Sequence, residues 1–265
     1  MPEPDLKALR LQLWAESRLV RETVEALGFA GYVVSLSNLS DAFRPRDRAL
    51  RCIDGRTPGG VHLAGSGILM GIDKTKAFAQ AAKADRITYH EDCGAARKWA
   101  MENHRGADEA TACAREFAEA LADALSLPCA ETPLAGPAGF HNETVVYYDG
   151  TGRADPSRLS SLPKGFIISR PYFGDDFPAA LEEVKLAIGT ALGEHGFGEL
   201  FTPEHPLRVV AIGHRGGTTA ATAAGKGDGA PSGGTLSLEQ LTEELGLLEL
   251  QDPKRVAIEG FVGQS

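Results

Sequence analysis

Three residues in the first half of the chain have side chains that bind soft divalent metals. Cys52 and Cys93 offer thiolates, and His90 offers an imidazole. Sulfur and imidazole ligands favour zinc, and three protein ligands leave the fourth tetrahedral position to water, as in catalytic zinc sites. A structural site would need a fourth strong ligand nearby, which Asp54 or His62 would have to supply. These residues therefore predict a zinc site that is open on one side.

The two ligand motifs each follow a short apolar run that is typical of a strand. Asp54 and Arg56 come two and four residues after the first cysteine. Taken alone, a Cys-x-Asp-x-Arg motif is typical of a turn at a strand end with a surface ion pair, and a His-x-x-Cys motif is equally unspecific. Their order along the chain, each at the end of an apolar strand, favours metal binding over a buried cysteine and a hydrogen-bonded histidine.

The remaining pattern alternates strands with helices, which predicts an α/β fold with a mostly parallel central sheet flanked by helices. Apolar residues at three- and four-residue steps, or Ala-rich runs, predict helices over residues 5–27, 74–83, from 94 onward, 107–125, 177–195 and 236–247. Short runs of apolar and β-branched residues predict strands over 31–36, 49–53, 86–89, 144–148, 166–169, 207–212 and 256–262.

A segment rich in Pro, Gly and Ala, residues 128–139, is the predicted internal boundary. It would separate a metal-binding α/β core over residues 1–130 from a second α/β half over residues 131–265 that packs on it. One single domain over residues 1–265 is the alternative. Residues 216–235 have low sequence complexity and are predicted to be mobile.

The second half contains a faint echo of the first. A strand followed by Asp149-Gly150 and a nearby Arg, and then a strand followed by His214 beside glycines, repeats the order of the metal motifs. Both cysteines are missing from this copy. The echo predicts a duplication whose second half is degenerate.

Composition limits the partners and the compartment. The 265-residue chain has a net charge of −9, which argues against nucleic acid or an anionic membrane as a partner. No apolar stretch approaches the ~20 residues of a membrane span, and the polar N-terminus lacks the apolar core of a signal peptide. Four cysteines are too few for a disulfide scaffold in a chain of this length. We therefore predict a cytoplasmic protein with free thiolates and with no nucleic-acid or membrane partner.

The Cys-x-Asp-x-Arg motif at 52–56 and the His-x-x-Cys motif at 90–93 together resemble the motif pair of β-class carbonic anhydrases. The run HLAGSG at 62–67 is loosely similar to the Gly- and Ala-rich stretch between those motifs. The motif CIDGR also resembles the related ζ class, the cadmium- or zinc-using enzymes, but that class places its second cysteine differently. The resemblance covers residues 49–98, and the connection between the motifs is shorter than is usual in the β class, so the chain would be a divergent branch.

This resemblance implies a β-carbonic-anhydrase-like core in which Cys52, His90 and Cys93 bind Zn²⁺, with Cd²⁺ or Co²⁺ able to substitute. The implied reaction is the reversible hydration of CO₂ to bicarbonate by a metal-bound hydroxide. Asp54 would accept a hydrogen bond from that hydroxide, and Arg56 would keep Asp54 ionised and away from the metal. The resemblance also implies a homo-oligomer, with a homodimer as the default.

Two other functions stay open at the level of the sequence. A hydrolase would use the same hydroxide on a CO₂-like molecule such as COS or CS₂. A non-catalytic zinc-binding protein would have its metal sealed by Asp54 or another residue. Two thiolates cancel the charge of Zn²⁺, so water at this site should be acidified less than water on a three-histidine zinc, whose pKa is about 7.

Four of the other histidines are not predicted to be metal ligands. His104, His141 and His205 lie in polar or Pro-flanked loops and are predicted to be solvated. His62 is predicted to be a structural or pocket-lining residue rather than a ligand.

Overall fold

A computed structural model describes residues 6–136, 139–215 and 235–263 of the chain. The segment 216–235, for which the sequence predicts mobility, lies outside the described residues except for residue 235.

Eight strands of the described residues form two four-stranded sheets in which all neighbours are parallel. They are β1 (Ala49–Arg51), β2 (Val61–His62), β3 (Arg86–Tyr89), β4 (Cys129–Glu131), β5 (Val145–Asp149), β6 (Gly165–Ser169), β7 (Leu207–Gly213) and β8 (Val256–Val262). The orders are β2-β1-β3-β4 and β6-β5-β7-β8. Parallel strands need long crossovers, which helices provide here, so the predicted α/β class is confirmed.

Seven α-helices flank the sheets in the part of the chain that the structure describes. They are α1 (Leu6–Glu16), α2 (Arg18–Val34), α3 (Ile72–Ala81), α4 (Gly94–Glu102), α5 (Ala110–Leu125), α6 (Phe177–Leu192) and α7 (Leu238–Gly246). Side-chain caps begin two of them: Asp176 accepts the amide of Ala179 at 3.3 Å, and Ser237 accepts that of Gln240 at 3.2 Å. Within the described residues, no helix has the length and apolar character needed to cross a bilayer.

The two sheets have the same strand order, which agrees with the faint sequence echo between the halves. They adjoin through β2 and β6, since the amide of His62 donates to Oγ of Ser169 at 3.1 Å. A second bond runs from the amide of Ile167 to the carbonyl of Ile53 at 3.1 Å. The region just after β1 is therefore held directly by the second half. The division into domains over 1–130 and 131–265 stays a prediction.

One hydrophobic core runs through both halves. Leu50 and Ile87 on the first sheet and Val146, Phe166 and Val184 in the second half are all buried in it. Burying each large apolar side chain stabilises the folded protein by about 1.5–3 kcal/mol. The core fixes the orientation of the strand ends that carry the ligand motifs.

The predicted secondary structure is wrong where strands are very short or where tertiary packing determines the conformation. The predicted strand over 31–36 is wrong, because the chain continues as α2 to Val34 after a kink at Gly28, whose φ is +69°. Phe29, just after the kink, packs its ring 6.2 Å from that of Phe261 on the second sheet, so packing favours the helix. Strand β4 lies within the segment predicted to be a loop, and β2 has only two residues.

Candidate metal centre

The three predicted ligands lie together at one edge of the first sheet. Cys52 follows β1 and His90 follows β3, and these two strands are parallel neighbours. Their carboxyl ends therefore meet at the same edge. Cys93 comes three residues later and is the N-cap residue of α4.

The ligand atoms are close enough to share one ion. The sulfurs of Cys52 and Cys93 and a ring nitrogen of His90 lie within 4.8 Å of one another, and all three residues are buried. Zn–S bonds of about 2.3 Å and Zn–N bonds of about 2.0 Å place tetrahedral ligand atoms about 3.5–3.8 Å apart. A small inward adjustment of the side chains would therefore satisfy zinc.

The ring of His90 is oriented for metal binding. Its Nδ1 lies 2.7 Å from the carbonyl oxygen of Glu91, to which an Nδ1–H would donate. That bond leaves Nε2 for the cage, and within the described residues this buried atom has no partner at ordinary hydrogen-bond geometry. Burial lowers the pKa of His90, but the side chain of Cys52 outweighs burial and raises that pKa to about 9. A metal at this position would therefore take the lone pair of Nε2 in exchange for a proton.

Backbone N–H groups support the two sulfurs. The amide of Gly65 lies 3.2 Å from Sγ of Cys52 and donates to it. The sulfur of Cys93 accepts from the amides of Ala95 and Ala96 at the start of α4. Because such bonds favour the thiolate form, both cysteines are placed to act as anionic ligands.

A hydrogen bond between the two thiols shifts their pKa values in opposite directions. A hydrogen bond from Cys52 lowers the pKa of the Cys93 thiol, while that bond and burial raise the pKa of Cys52 well above its usual value. Cys93 is therefore the more acidic of the two thiols. Metal binding would have to displace the proton that the raised pKa of Cys52 retains.

His62 is a support for Cys52. Its ring is completely buried, and its Nδ1 lies 2.7 Å from the carbonyl oxygen of Cys52. The hydroxyl of Thr57 donates to the same carbonyl at 3.0 Å. His62 therefore fixes the backbone behind the ligand and does not belong to the group of atoms that could hold the ion.

Asp54 and Arg56 form a buried ion pair beside the ligands. The guanidinium approaches both carboxylate oxygens of Asp54, with Nε 3.0 Å from Oδ1 and Nη2 2.7 Å from Oδ2. The backbone amide of Arg56 also donates to Oδ1 at 2.9 Å. Burial raises the pKa of Asp54, but the bonds from Arg56 and the charges of His141 and Arg56 outweigh burial and hold that pKa well below its usual range.

This ion pair keeps Asp54 out of the metal cage. The group that could hold the ion contains Cys52, His90 and Cys93, and no fourth metal-binding side chain joins it within the described parts of the chain. Asp54 is engaged by Arg56 instead, close to the cage but turned to the guanidinium. The described residues therefore offer three ligand atoms to one ion.

The prediction that His141 is solvated is wrong. The residue is buried, and its Nδ1 lies 3.7 Å from Oδ2 of Asp54 and 3.6 Å from Oε2 of Glu143. Its ring packs against Phe166 at 5.6 Å. Burial lowers the pKa of His141, but the two carboxylates outweigh burial and raise it. The second half thus places an imidazole between two acids, which residue type and loop position did not reveal.

The other two histidines for which the sequence predicts solvation are at least partly exposed. His104 is exposed, as predicted. His205 is part-exposed and pairs with Glu25 at 3.0 Å.

Asp54, His141 and Glu143 also bring possible metal-ligand atoms within 4.8 Å of one another. Arg56, however, already occupies Asp54 with four contacts no longer than 3.2 Å. A further cation beside this guanidinium would be repelled. The trio is better described as a charge network in which Arg56 pairs with Asp54 and the ring of His141 lies between the carboxyl groups of Asp54 and Glu143.

A cleft of about 290 Å³ lies beside Arg56. Gly55 and Arg56 belong to its first-half wall, and Asn142, Lys164 and Ile167 belong to its second-half wall. Among the described residues that line it there is none of the three ligands, which are buried with exposed fractions of 5% or less. Arg56 therefore connects the cleft to the centre through its ion pair with Asp54.

Comparisons of the chain with protein-family models, with curated proteins and with solved structures found no match. The assignment of a function therefore depends on the chemistry of this centre.

Proposed function

We propose that the protein is a zinc enzyme that reversibly hydrates CO₂ to bicarbonate. The observation that carries the proposal is the combination of a Cys-His-Cys cage with an acid that Arg56 holds off the metal. The resemblance of these motifs to β-class carbonic anhydrases points to the same reaction. The closed, non-catalytic alternative would require Asp54 to leave four short contacts with Arg56.

Cys52, His90 and Cys93 would hold the metal. When bound, zinc supplies a Lewis acid that lowers the pKa of a water molecule, so that hydroxide is available near neutral pH. The amides that donate to the sulfurs reduce the negative charge of the two thiolates, which would otherwise oppose this effect.

Asp54 would act on the nucleophile. Being ionised, it accepts a hydrogen bond and thereby orients the lone pair of the attacking oxygen toward carbon. Arg56 fixes the carboxylate by three side-chain contacts and one backbone bond, so the orientation is set before substrate arrives. The burial of both residues strengthens these interactions by excluding water.

The size and charge of the centre favour CO₂. A buried site admits a linear, uncharged triatomic molecule more readily than an ester or a peptide. Arg56, at the edge of the cleft, offers a positive charge near the place where bicarbonate would form.

The test combines metal analysis with a stopped-flow assay of CO₂ hydration. We expect one zinc per chain and hydration above the buffer rate. Cys93→Ser should lose both, whereas Cys113→Ser, which changes a buried cysteine of α5 outside the centre, should keep both. Zinc without hydration would contradict the proposed reaction, and turnover of COS or CS₂ in its place would identify the alternative hydrolase. A full zinc content in Cys93→Ser would contradict the ligand assignment.

A further inference from the structure

The loop after β2 brings a backbone amide to the metal centre. Gly65 and Ser66 both have left-handed backbone angles, with φ of +54° and +53°. This double left-handed turn directs the amide of Gly65 to Sγ of Cys52. A Cβ on residue 65 would lie 2.8 Å from Cγ2 of Ile68, so the turn needs glycine at this position.

One side chain of the second half holds this loop. Glu183, in the middle of α6, is buried, and its Oε2 accepts the amide of Ala64 at 2.5 Å. Ala64 precedes Gly65, so neighbouring amides of the chain donate to Glu183 and to the Cys52 sulfur. Burial raises the pKa of Glu183 to about 8, so at neutral pH the side chain is a neutral carboxyl group. Burying a glutamate side chain in a helix face costs free energy, and the hydrogen bond to the Ala64 amide offsets part of that cost.

The backbone amides that donate to the two sulfurs are held in place by different parts of the structure. The amides that support Cys93 belong to α4, the helix that Cys93 itself begins, so they are fixed by local structure. The amide that supports Cys52 belongs to an irregular turn in which Ser66 holds left-handed angles that residues other than glycine rarely adopt. That turn therefore needs an outside support.

We propose that Glu183 is a positioning residue of the metal centre: by anchoring Ala64 it keeps the Gly65 amide on the Cys52 sulfur and so reduces the electron donation of that thiolate to the metal. The inference rests on the metal centre of the proposed function. It gives the second half a part in tuning the metal, although that half has no cysteine ligands of its own. A less donating thiolate leaves more positive charge on the ion, which offsets the effect of having two sulfur ligands.

Cobalt-substituted protein provides a readout that does not depend on activity. A thiolate that loses a hydrogen bond is oxidised more easily, so its thiolate-to-Co²⁺ charge-transfer band moves to longer wavelength. We expect this red shift in Glu183→Leu, together with a Co²⁺ affinity about tenfold or more weaker, as is typical when a supporting bond around a metal ligand is lost. Glu183→Gln keeps a neutral carbonyl acceptor for Ala64 and should retain the band and affinity of the unmodified protein.

Glu182→Leu is the matched control. Its side chain is 70% exposed on the same helix and pairs with Lys185, so the band should not move. An unchanged band and affinity in folded Glu183→Leu would overturn the inference, and so would an equal loss in Glu183→Gln. Should Glu183→Leu fail to fold, Glu183→Asp with ¹¹³Cd replaces it, because the shorter side chain withdraws the acceptor from Ala64. A ¹¹³Cd chemical shift identical to that of the unmodified protein would then refute the role of Glu183.

The outcomes separate this inference from the proposed function. Failure of the unmodified protein to bind Co²⁺ would overturn the metal centre and the inference with it. A red-shifted band in Glu183→Leu without CO₂ hydration by the zinc form would support the inference and contradict the proposed reaction.

Discussion

Replacing Glu183 with glutamine should stabilise the metal-free protein relative to the unmodified protein. The difference in the free energy of unfolding should increase as pH rises. Burial raises the pKa of this carboxyl group from 4.5 to about 8. Between these values the unfolded chain has lost the proton and the folded protein still holds it, so the contribution of Glu183 to stability is complete below pH ~4.5 and is lost as pH rises to about 8. A difference of roughly 3.5 pKa units corresponds to about 5 kcal/mol in the free energy of unfolding. A glutamine side chain does not titrate, so the variant escapes this loss.

The assay is chemical denaturation of metal-free Glu183→Gln and unmodified protein at several pH values from 4.5 to 8.5. The difference in free energy of unfolding should grow steadily over this range, toward a limit of about 5 kcal/mol, and then become constant. Glu182→Gln, which changes an exposed side chain, should show no comparable trend. A difference between Glu183→Gln and the unmodified protein that is independent of pH would refute the burial of an uncharged Glu183.

Three further predictions concern the centre. Arg56→Ala should destabilise the protein by about 3–5 kcal/mol in denaturant titrations, because it leaves Asp54 as an uncompensated buried charge. It should also abolish CO₂ hydration, because Asp54 becomes free to reach the metal. Activity near the unmodified level would contradict this. Zinc affinity, measured by chelator competition, should rise between pH 6 and pH 8 because binding displaces the raised-pKa proton of Cys52, and an affinity that is flat with pH would argue against that proton. His141→Ala should lower the free energy of unfolding by about 1–3 kcal/mol, because the buried carboxyl groups of Asp54 and Glu143 lose their partner. His104→Ala, which changes an exposed side chain, should alter it by no more than about 0.5 kcal/mol. Equal effects of the two changes would contradict the charge network.

The sequence could predict the features that depend on local pattern. Apolar runs that end at a ligand identified β1 and β3, and the rule that parallel strands align their carboxyl ends then brought Cys52 and His90 to one edge. Asp54 and Arg56 are two residues apart, so a short turn is enough to join them. The expected homodimer depends on the resemblance alone and stays a prediction.

The sequence could not predict the contributions of the second half to the centre. His141 and Glu143 lie in irregular chain before β5, and their burial depends on how the two sheets adjoin. Glu183 left a weak signal, because it is three residues after Ala180 and four before Ala187 on the buried face of α6. An acid within such an apolar stripe indicates a buried polar contact, but only the folded structure shows that the partner is the loop beside Cys52.

X-ray absorption at the zinc edge, combined with metal content, tests the central claim most directly. The Cys52-His90-Cys93 cage predicts one zinc per chain with two sulfur ligands at about 2.3 Å and two nitrogen or oxygen ligands at about 2.0 Å. Cys93→Ser should remove zinc or leave a single sulfur ligand. A zinc spectrum without sulfur, or one that is unchanged in Cys93→Ser, would contradict the account.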